Sequence, residues 1–327
     1  MAELKVGTVA DWQLLSPILA TFSLLPQAGD SFPDYKPGQY IALRRDDCRI
    51  TKRVVGPDGH PTIVPVLDES GRPMRGPVTH SYSIASAPYE MRERGYIGFY
   101  VVLETDERSV PGRLTESLFR IHPPEDNQVK YVSRIVGDFT LDKRARGFKS
   151  VLLVGTGTGL APFVSMIRQL HHDAERGASD GVRYTLLHAN RTSEELGYHQ
   201  SLLSIEAAQR FDFVYVPSVS RPRAGVADPT LGRGRANNVL RHIVGMPLRE
   251  EQAVLDAEAK GEDPAPAREA LASVVRPALP EHLSPAELRK RLDPPQTVVL
   301  TCGNPSLMAD IKFITETNRM RFEKEDW

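Results

Sequence analysis

A strand that runs into a glycine-rich turn and straight on into a helix leaves a chain few folds to adopt. Residues 151–163, VLLVGTGTGLAPF, have that form. The apolar run ends at Val154. Gly155, Gly157 and Gly159 let the backbone turn tightly and approach a ligand closely, and Pro162 falls near the first helical turn, where its missing N–H does no harm. A helix opening there aims free N–H groups and a partial positive charge at whatever the turn holds, the usual seat of a pyrophosphate. Glycines also serve such turns for structural reasons alone. The strand before and the helix after make the phosphate reading the stronger of the two.

The surrounding pattern agrees. Apolar runs at 151–154, 184–189, 213–216 and 297–302 alternate with helical patterns at 161–176 and 193–210, which predicts a parallel α/β sheet. Residues 1–148 read differently. Short stretches at 5–12, 18–24, 39–43, 80–85, 95–103 and 129–135 are separated by Pro, Gly and Asp, as in an antiparallel sandwich or barrel. The expected boundary is the basic turn at 146–149, giving a β domain over 1–148 and an α/β domain over 149–327. Two segments fit neither pattern. Residues 44–77 form a polar insert rich in Gly, Pro and Arg. Residues 248–296, rich in Ala, Glu and Pro, predict two or three short helices broken at proline, or partial disorder. There is no internal repeat.

Composition removes several function classes. A length of 327 residues suggests about two domains. A net charge of −1 offers no global basic field for nucleic acid. The N-terminal residues lack the basic and apolar regions of a secretory leader, and no apolar run approaches the roughly 20 residues of a membrane helix, so the expected location is the cytoplasm without membrane insertion. The cysteines are Cys48 and Cys302 alone, too few for a disulfide scaffold or a four-cysteine cluster. No metal site is expected, and the oligomeric state is left open.

A dinucleotide fold ordinarily carries an acidic residue about 20 positions past its glycines, to hold a ribose hydroxyl. This chain offers Arg191, Arg210 and Arg221 near the ends of the second and third parallel strands. Basic groups there suit a 2′-phosphate and favour NADP over NAD; the alternative is that they are solvated surface arginines. In the β half, THSYSIAS (79–86) places His80 and Tyr82 on one face of a strand, about 7 Å apart, able to follow one extended ligand. In PGRLTESLF (111–119), Gly112, the N–H groups after it and the Thr115 hydroxyl offer a second phosphate seat. Each stretch alone is equally compatible with a plain strand and a plain turn.

Taken together, KPGQY, HSYSIAS, GRLT, GTGTGLAPF, SRP and CGNPSLM occur in the order seen in ferredoxin–NADP⁺ reductases. The chain resembles that family over nearly its whole length outside 44–77 and 248–296, and its aromatic last residue after CGNP resembles the bacterial branch. The resemblance implies an N-terminal antiparallel barrel holding FAD and a C-terminal domain holding NADP(H), with electrons exchanged with a ferredoxin or flavodoxin. It implies that Tyr82 packs on the flavin and that Ser83 hydrogen-bonds near its N5. Ile84, Ala85 and Ser86 would supply backbone contacts. Gly112, Arg113, Leu114 and Thr115 would hold the FAD pyrophosphate, with His80 beside it. Thr156, Gly157, Thr158 and Gly159 would hold the NADP pyrophosphate. Ser220, Arg221, Arg191 and Arg210 would read the 2′-phosphate. Cys302 and Gly303 would lie beside the nicotinamide, and Trp327 would stack over the flavin. Ser83, Cys302 and Trp327 are the expected catalytic residues, with Glu325 or Asp326 as a proton relay.

Two departures stand out. His80 occupies a position where the family usually has an arginine, whose permanent charge and paired hydrogen bonds a histidine does not match; Arg113 offers a substitute charge. The segment 44–53, RRDDCRITKR, is locally basic and suggests steering of an acidic carrier. The rival expectations are an NADH-dependent oxygenase reductase, a non-catalytic electron-transfer subunit and an α/β protein without flavin.

Overall fold

The computed structural model describes residues 3–56, 59–104, 113–223, 225 and 228–325. The chain divides into two compact units, Met1–Asp138 and Phe139–Trp327.

The first unit is antiparallel. Its strands are β1 (Leu4–Ser16), β2 (Leu19–Pro26), β3 (Tyr40–Arg49), β4 (Thr51–Val55), β5 (Pro61–Pro65), β6 (Arg75–Ser83), β7 (Ile97–Val102) and β8 (Gln128–Val136). Helix α1 (Pro88–Arg94) joins β6 to β7, and α2 (Arg113–Leu118) lies between β7 and β8. Six strands form one sheet in the order β6-β3-β8-β1-β2-β7. This is a half-barrel: β6 and β7 sit at opposite ends of the order, and the chain just past β6 reaches β7 by single bonds. Ala85 N–H donates to Gly98 O (2.8 Å) and Gly98 N–H to Ser86 Oγ (2.8 Å). Inside, Trp12 stacks on Phe22 at 5.4 Å and Phe22 on Phe99 at 5.0 Å. These rings meet because every second residue of a strand faces the core.

The stretch 44–77 is not the loop its polarity suggests. β3 runs on to Arg49, and β4 and β5 pair as an antiparallel ribbon. The charges that obscured β3 neutralise one another. Arg44 pairs with Asp46 (2.8 Å), Arg45 with Asp126 (2.6 Å) and Arg49 with Glu116 (2.8 Å). Three of the five basic residues expected to steer a partner are therefore engaged within the unit, and Lys52 and Arg53 remain exposed on the ribbon.

The second unit begins with α3 (Leu141–Arg144), β9 (Ser150–Thr156), a 3-10 turn at Gly157–Leu160 and α4 (Ala161–Glu175). It continues through β10 (Arg183–Asn190), α5 (His199–Ala208), β11 (Phe213–Val219), the short β12 (Gly232–Arg233) and α6 (Ala236–Val244). The stretch 248–296 forms α7 (Arg249–Lys260), α8 (Ala265–Ala272) and α9 (Pro285–Arg291). The chain ends in β13 (Thr297–Cys302), α10 (Pro305–Thr317) and β14 (Arg321–Lys324). The sheet is parallel, in the order β12-β11-β10-β9-β13-β14. β13 is buried along its whole length and β9 along all but its last residue, as strands with both faces covered must be. The core of one face joins Leu152, Val154, Leu187 and Val299 to Val239 and Ile243 of α6 and Ile311 of α10. Arg241 is 2% exposed and grips Asp310 at 2.5 Å, tying α6 to α10.

The helices of 248–296 differ in kind. α7 and α8 bury no residue, whereas α9 sinks Leu288 into the core. Its N-terminus is capped by Ser284, which accepts from Glu287 N–H at 3.3 Å.

Candidate functional site

From β9 the chain moves outward to β10 and β11 on one side; β13 and β14 lie on the other. The order reverses between β9 and β13. In open α/β sheets such a switch point leaves a crevice beyond the carboxyl ends of the strands, where ligands bind. Thr156, Gly157, Thr158 and Gly159 leave β9 at this point, and Cys302 and Gly303 leave β13 there.

The two turns interlock. A Cβ on Gly159 would lie 2.3 Å from Cys302 O, and one on Gly303 would lie 2.1 Å from Thr156 Oγ1. Asn304 N–H donates to Thr156 Oγ1 at 3.2 Å. Asn304 also caps α10, its side-chain oxygen accepting from Ser306 N–H (3.0 Å) and Leu307 N–H (3.2 Å). The outer side of the first turn is open: Gly157, at φ +56°, has nothing within 4 Å of a built Cβ. Two helical N-termini and a vacant glycine face make a cradle that fits a pyrophosphate.

Cys302 is fully buried at the end of β13. Its thiol donates to Glu325 Oε2 at 2.9 Å, and Glu325 is itself 3% exposed. Burial, and then the neighbouring carboxylate, push the thiol well above the ordinary cysteine range. It stays protonated at neutral pH and acts as a hydrogen-bonding group rather than a nucleophile. Trp327 and Asp326 lie outside the described residues.

The arginines separate. Arg221 N–H donates to Arg191 O (2.7 Å) and Ser220 N–H to Asn190 O (2.9 Å), so the chain past β11 follows the chain past β10. Arg221 lines a cavity of 790 Å³, with Arg223 and Arg233. Arg191 is clamped by the buried Glu195, with Nε at 2.9 Å and Nη2 at 2.5 Å. Arg210 corrects the expectation outright. It precedes β11, and in a parallel sheet the amino edge lies a full strand away from the carboxyl edge, about 20 Å here. It takes no part in the cluster at the carboxyl edge.

In the first unit, β6 carries the expected row of residues on a sheet edge. His80 feels Arg113 at the start of α2. Withdrawal of its ring from water, then repulsion from Arg113, lower its pKa, with Glu104 partly opposing. The two residues therefore share one corner, where the Arg113 charge and the single N–H of a neutral His80 ring suit an anion. Tyr82 lies edge-on to Phe99, centroids 6.5 Å apart. Ser83, Ile84, Ala85 and Ser86 are buried. Of the backbone groups expected to face a ligand, two N–H groups are already engaged: Ile84 N–H donates to Gln39 O and Ala85 N–H to Gly98 O. Ser86 Oγ accepts from Gly98 N–H and contacts Tyr35 Oη at 3.1 Å. Leu114 is buried and Thr115 half-buried on α2. Gly112 lies outside the described residues.

Sequence patterns missed what braces these positions. Arg45 bonds Asp126 through both terminal nitrogens (2.7 and 2.6 Å), Gln128 O (2.6 Å) and Ser117 Oγ (2.9 Å), fixing α2 against β3. An Arg-Arg-Asp-Asp run hides which charge is internal. Arg233 was also missed, although GRGR (232–235) immediately before a helix is a turn signal.

Residues 153–255 match the family described as "Oxidoreductase NAD-binding domain". A flavohemoprotein of Halalkalibacterium halodurans is 25% identical over 223 residues, 68% of this chain and 45% of that protein. A flavodoxin/ferredoxin–NADP reductase of Rhodobacter capsulatus is 30% identical over 151 residues, 46% of this chain and 47% of that protein. The chain spans less than half the length of these curated relatives. Among solved structures, a ferredoxin NADP⁺ reductase from Neisseria gonorrhoeae with bound FAD and NADP superposes with a TM-score of 0.57 at 17% identity, over 99% of both chains. The FAD/NAD-binding domain of a nitric oxide dioxygenase from Vibrio cholerae gives 0.57 at 18% identity, over 98% of both. At such identities the structures share the fold.

Proposed function

We propose that the chain, which resembles the ferredoxin–NADP⁺ reductases in fold and in its NAD-binding domain, passes electrons between NADPH and a one-electron carrier, a ferredoxin or flavodoxin, in the cytoplasm. FAD is assigned to the first unit and the dinucleotide to the second. When bound, FAD supplies the conversion between paired and single electrons.

The observation that carries this reading is the interlocked turn pair at the switch point, where Gly157 leaves room for an anion and Gly159 and Gly303 leave room for nothing. Thr156 to Gly159 would hold the dinucleotide pyrophosphate. The cavity beside Arg221 would take the adenosine end, with Ser220 at its rim. Cys302, its one proton donated to Glu325, keeps an uncharged sulfur at the end of β13. In the first unit, Tyr82 would present its ring to the flavin and Ser83 a hydroxyl to its reacting edge. His80, Arg113, Leu114 and Thr115 would hold the FAD pyrophosphate.

A second reading is an NADH-linked reductase of an oxygenase. The Arg191–Glu195 clamp favours it, because a neutralised arginine offers little to a 2′-phosphate.

Steady-state reduction of ferricyanide, and of an added flavodoxin, separates the two. With FAD present, kcat/KM is expected to be higher with NADPH than with NADH, and Arg221→Ala should lower only the NADPH value. Faster turnover with NADH, unaffected by Arg221→Ala, would move the assignment to the second reading.

A further inference from the structure

The cavity beside Arg221 has a wall that the α/β pattern does not provide. Past α8, the chain returns and lies along β12. Arg233 N–H donates to Ala278 O (2.8 Å) and Ala278 N–H to Arg233 O (3.0 Å). Glu281 N–H donates to Pro229 O at 2.9 Å. The contact is tight enough to exclude a side chain: a Cβ on Gly232 would lie 2.7 Å from Ala278 O and 2.9 Å from Pro217 O. Ala278, Leu279 and Glu281 thereby line the cavity opposite the loops that follow β10 and β11.

Six ionisable residues line this space: Glu194, Arg221, Arg223, Asp228, Arg233 and Glu281. Arg223 pairs with Glu194 at 3.3 Å. Asp228 is tied into its own turn by Thr230, whose N–H (2.9 Å) and hydroxyl (2.6 Å) both donate to it. Among the described residues, that leaves Arg221 and Arg233 as cations without an ion pair and Glu281 as the acid without one. Glu281 is exposed and lines the cavity, on a backbone tied by its own N–H to Pro229 O and by Ala278 to Arg233.

We infer that Glu281, delivered by the inserted segment, is a specificity-determining residue that lowers the cavity's preference for a phosphorylated ribose, so that the chain uses both nicotinamide dinucleotides. The inference rests on reading the cavity as the adenosine end of the dinucleotide site. A dinucleotide domain ordinarily supplies its ribose-binding acid from the end of the second strand. Here the acids at that end, Glu194 and Glu195, are engaged with Arg223 and Arg191. Glu281 takes their place from the opposite wall. Its carboxylate accepts from ribose hydroxyls and repels a 2′-phosphate, while Arg221 and Arg233 attract that phosphate. The outcome is a balance rather than a strict choice.

Adenosine 2′,5′-bisphosphate and AMP differ only in the 2′-phosphate, and calorimetric titration of both into the full chain tests the inference. The ratio of their affinities is expected to rise about 5-fold in favour of the bisphosphate in Glu281→Gln, from removal of one like charge at the edge of a solvated site. In Arg221→Gln it should fall by a similar factor. An unchanged ratio in Glu281→Gln, with Arg221→Gln still lowering it, overturns the role of Glu281 and leaves the nucleotide site standing. An unchanged ratio in both variants, or no binding of either probe, overturns the reading of the cavity and the inference with it.

Discussion

Gly303 and Gly157 share a site and make opposite demands. Gly303 has φ 130° and Thr156 Oγ1 2.1 Å from where a Cβ would stand, whereas Gly157 has φ 56° and open space. Gly303→Ala carries both backbone strain and a steric clash and should lower stability by about 3 kcal/mol. Gly157→Ala carries strain alone, about 1–2 kcal/mol, and its methyl enters the space assigned to the ligand. Thermal unfolding together with NADP⁺ titration checks both: Gly303→Ala is expected to be the less stable, and Gly157→Ala to lose the larger share of affinity relative to its stability loss. Equal stability in the two would contradict the interlocked turn. At this scale much was legible. The glycines of VGTGTG and the Asn-Pro of CGNP are local signals with one mechanical reading each. The engagement of Arg191 with Glu195 was not legible, because a sequence shows that a charge is present but not which neighbour holds it.

Among the elements, α2 is short and depends on its brace. Burial pushes the Asp47 carboxyl up, but bonds from Ser117 and Arg120 and the charge of Arg45 outweigh this and hold it at about 2. Arg45 spans β3, α2 and Asp126. Arg45→Met keeps the aliphatic bulk and removes the charge, leaving carboxylates that lose their partner. A loss of about 3 kcal/mol is expected, with weakened FAD retention because α2 carries Arg113 and Thr115. Urea unfolding with and without FAD measures it; a change below about 0.5 kcal/mol, the range of an ordinary surface substitution, would show the brace to be ornamental. The strands of both sheets follow from alternation and from buried apolar runs. The run of β3 past Leu43 was hidden by charges that pair along the strand and with α2, and β4 and β5 by the exposed Lys52 and Arg53 and by the prolines at both ends of β5. β14 was hidden by its shortness and by the charges of RFEK. The docking of residues 278–281 on β12 is a long-range event that no local pattern encodes.

For the whole molecule, the pH range of stability follows from buried histidines of the second unit. His188 is fully buried on β10, with Nδ1 2.9 Å from Tyr215 Oη, and Nε2 has no partner among the described residues. Tyr215 Oη also lies 3.1 Å from His199 Nδ1. Burial, and then repulsion from His199, lower the His188 pKa to about 3; burial lowers that of His199 as well. Both are neutral in the fold and protonate at ordinary values once unfolded. Their contribution is therefore complete above about pH 6.5 and is lost as pH falls below it, down to about 3 for His188, at up to roughly 1.4 kcal/mol per pH unit for each group. Chemical unfolding between pH 7 and pH 4.5 should show this slope, and His188→Leu should flatten it without loss at pH 7. A slope unchanged by the substitution would assign the acid limb to other groups.

A flavin in one unit and a nicotinamide dinucleotide in the other, able to reduce it, would be seen in the visible spectrum of the purified chain with FAD, followed through an anaerobic titration with NADPH and then NADH. The expected result is a bound-flavin spectrum that bleaches with about one equivalent of NADPH, one hydride per two-electron flavin, and less readily with NADH. A protein that leaves FAD free, or holds it and is bleached by neither dinucleotide, would overturn both assignments.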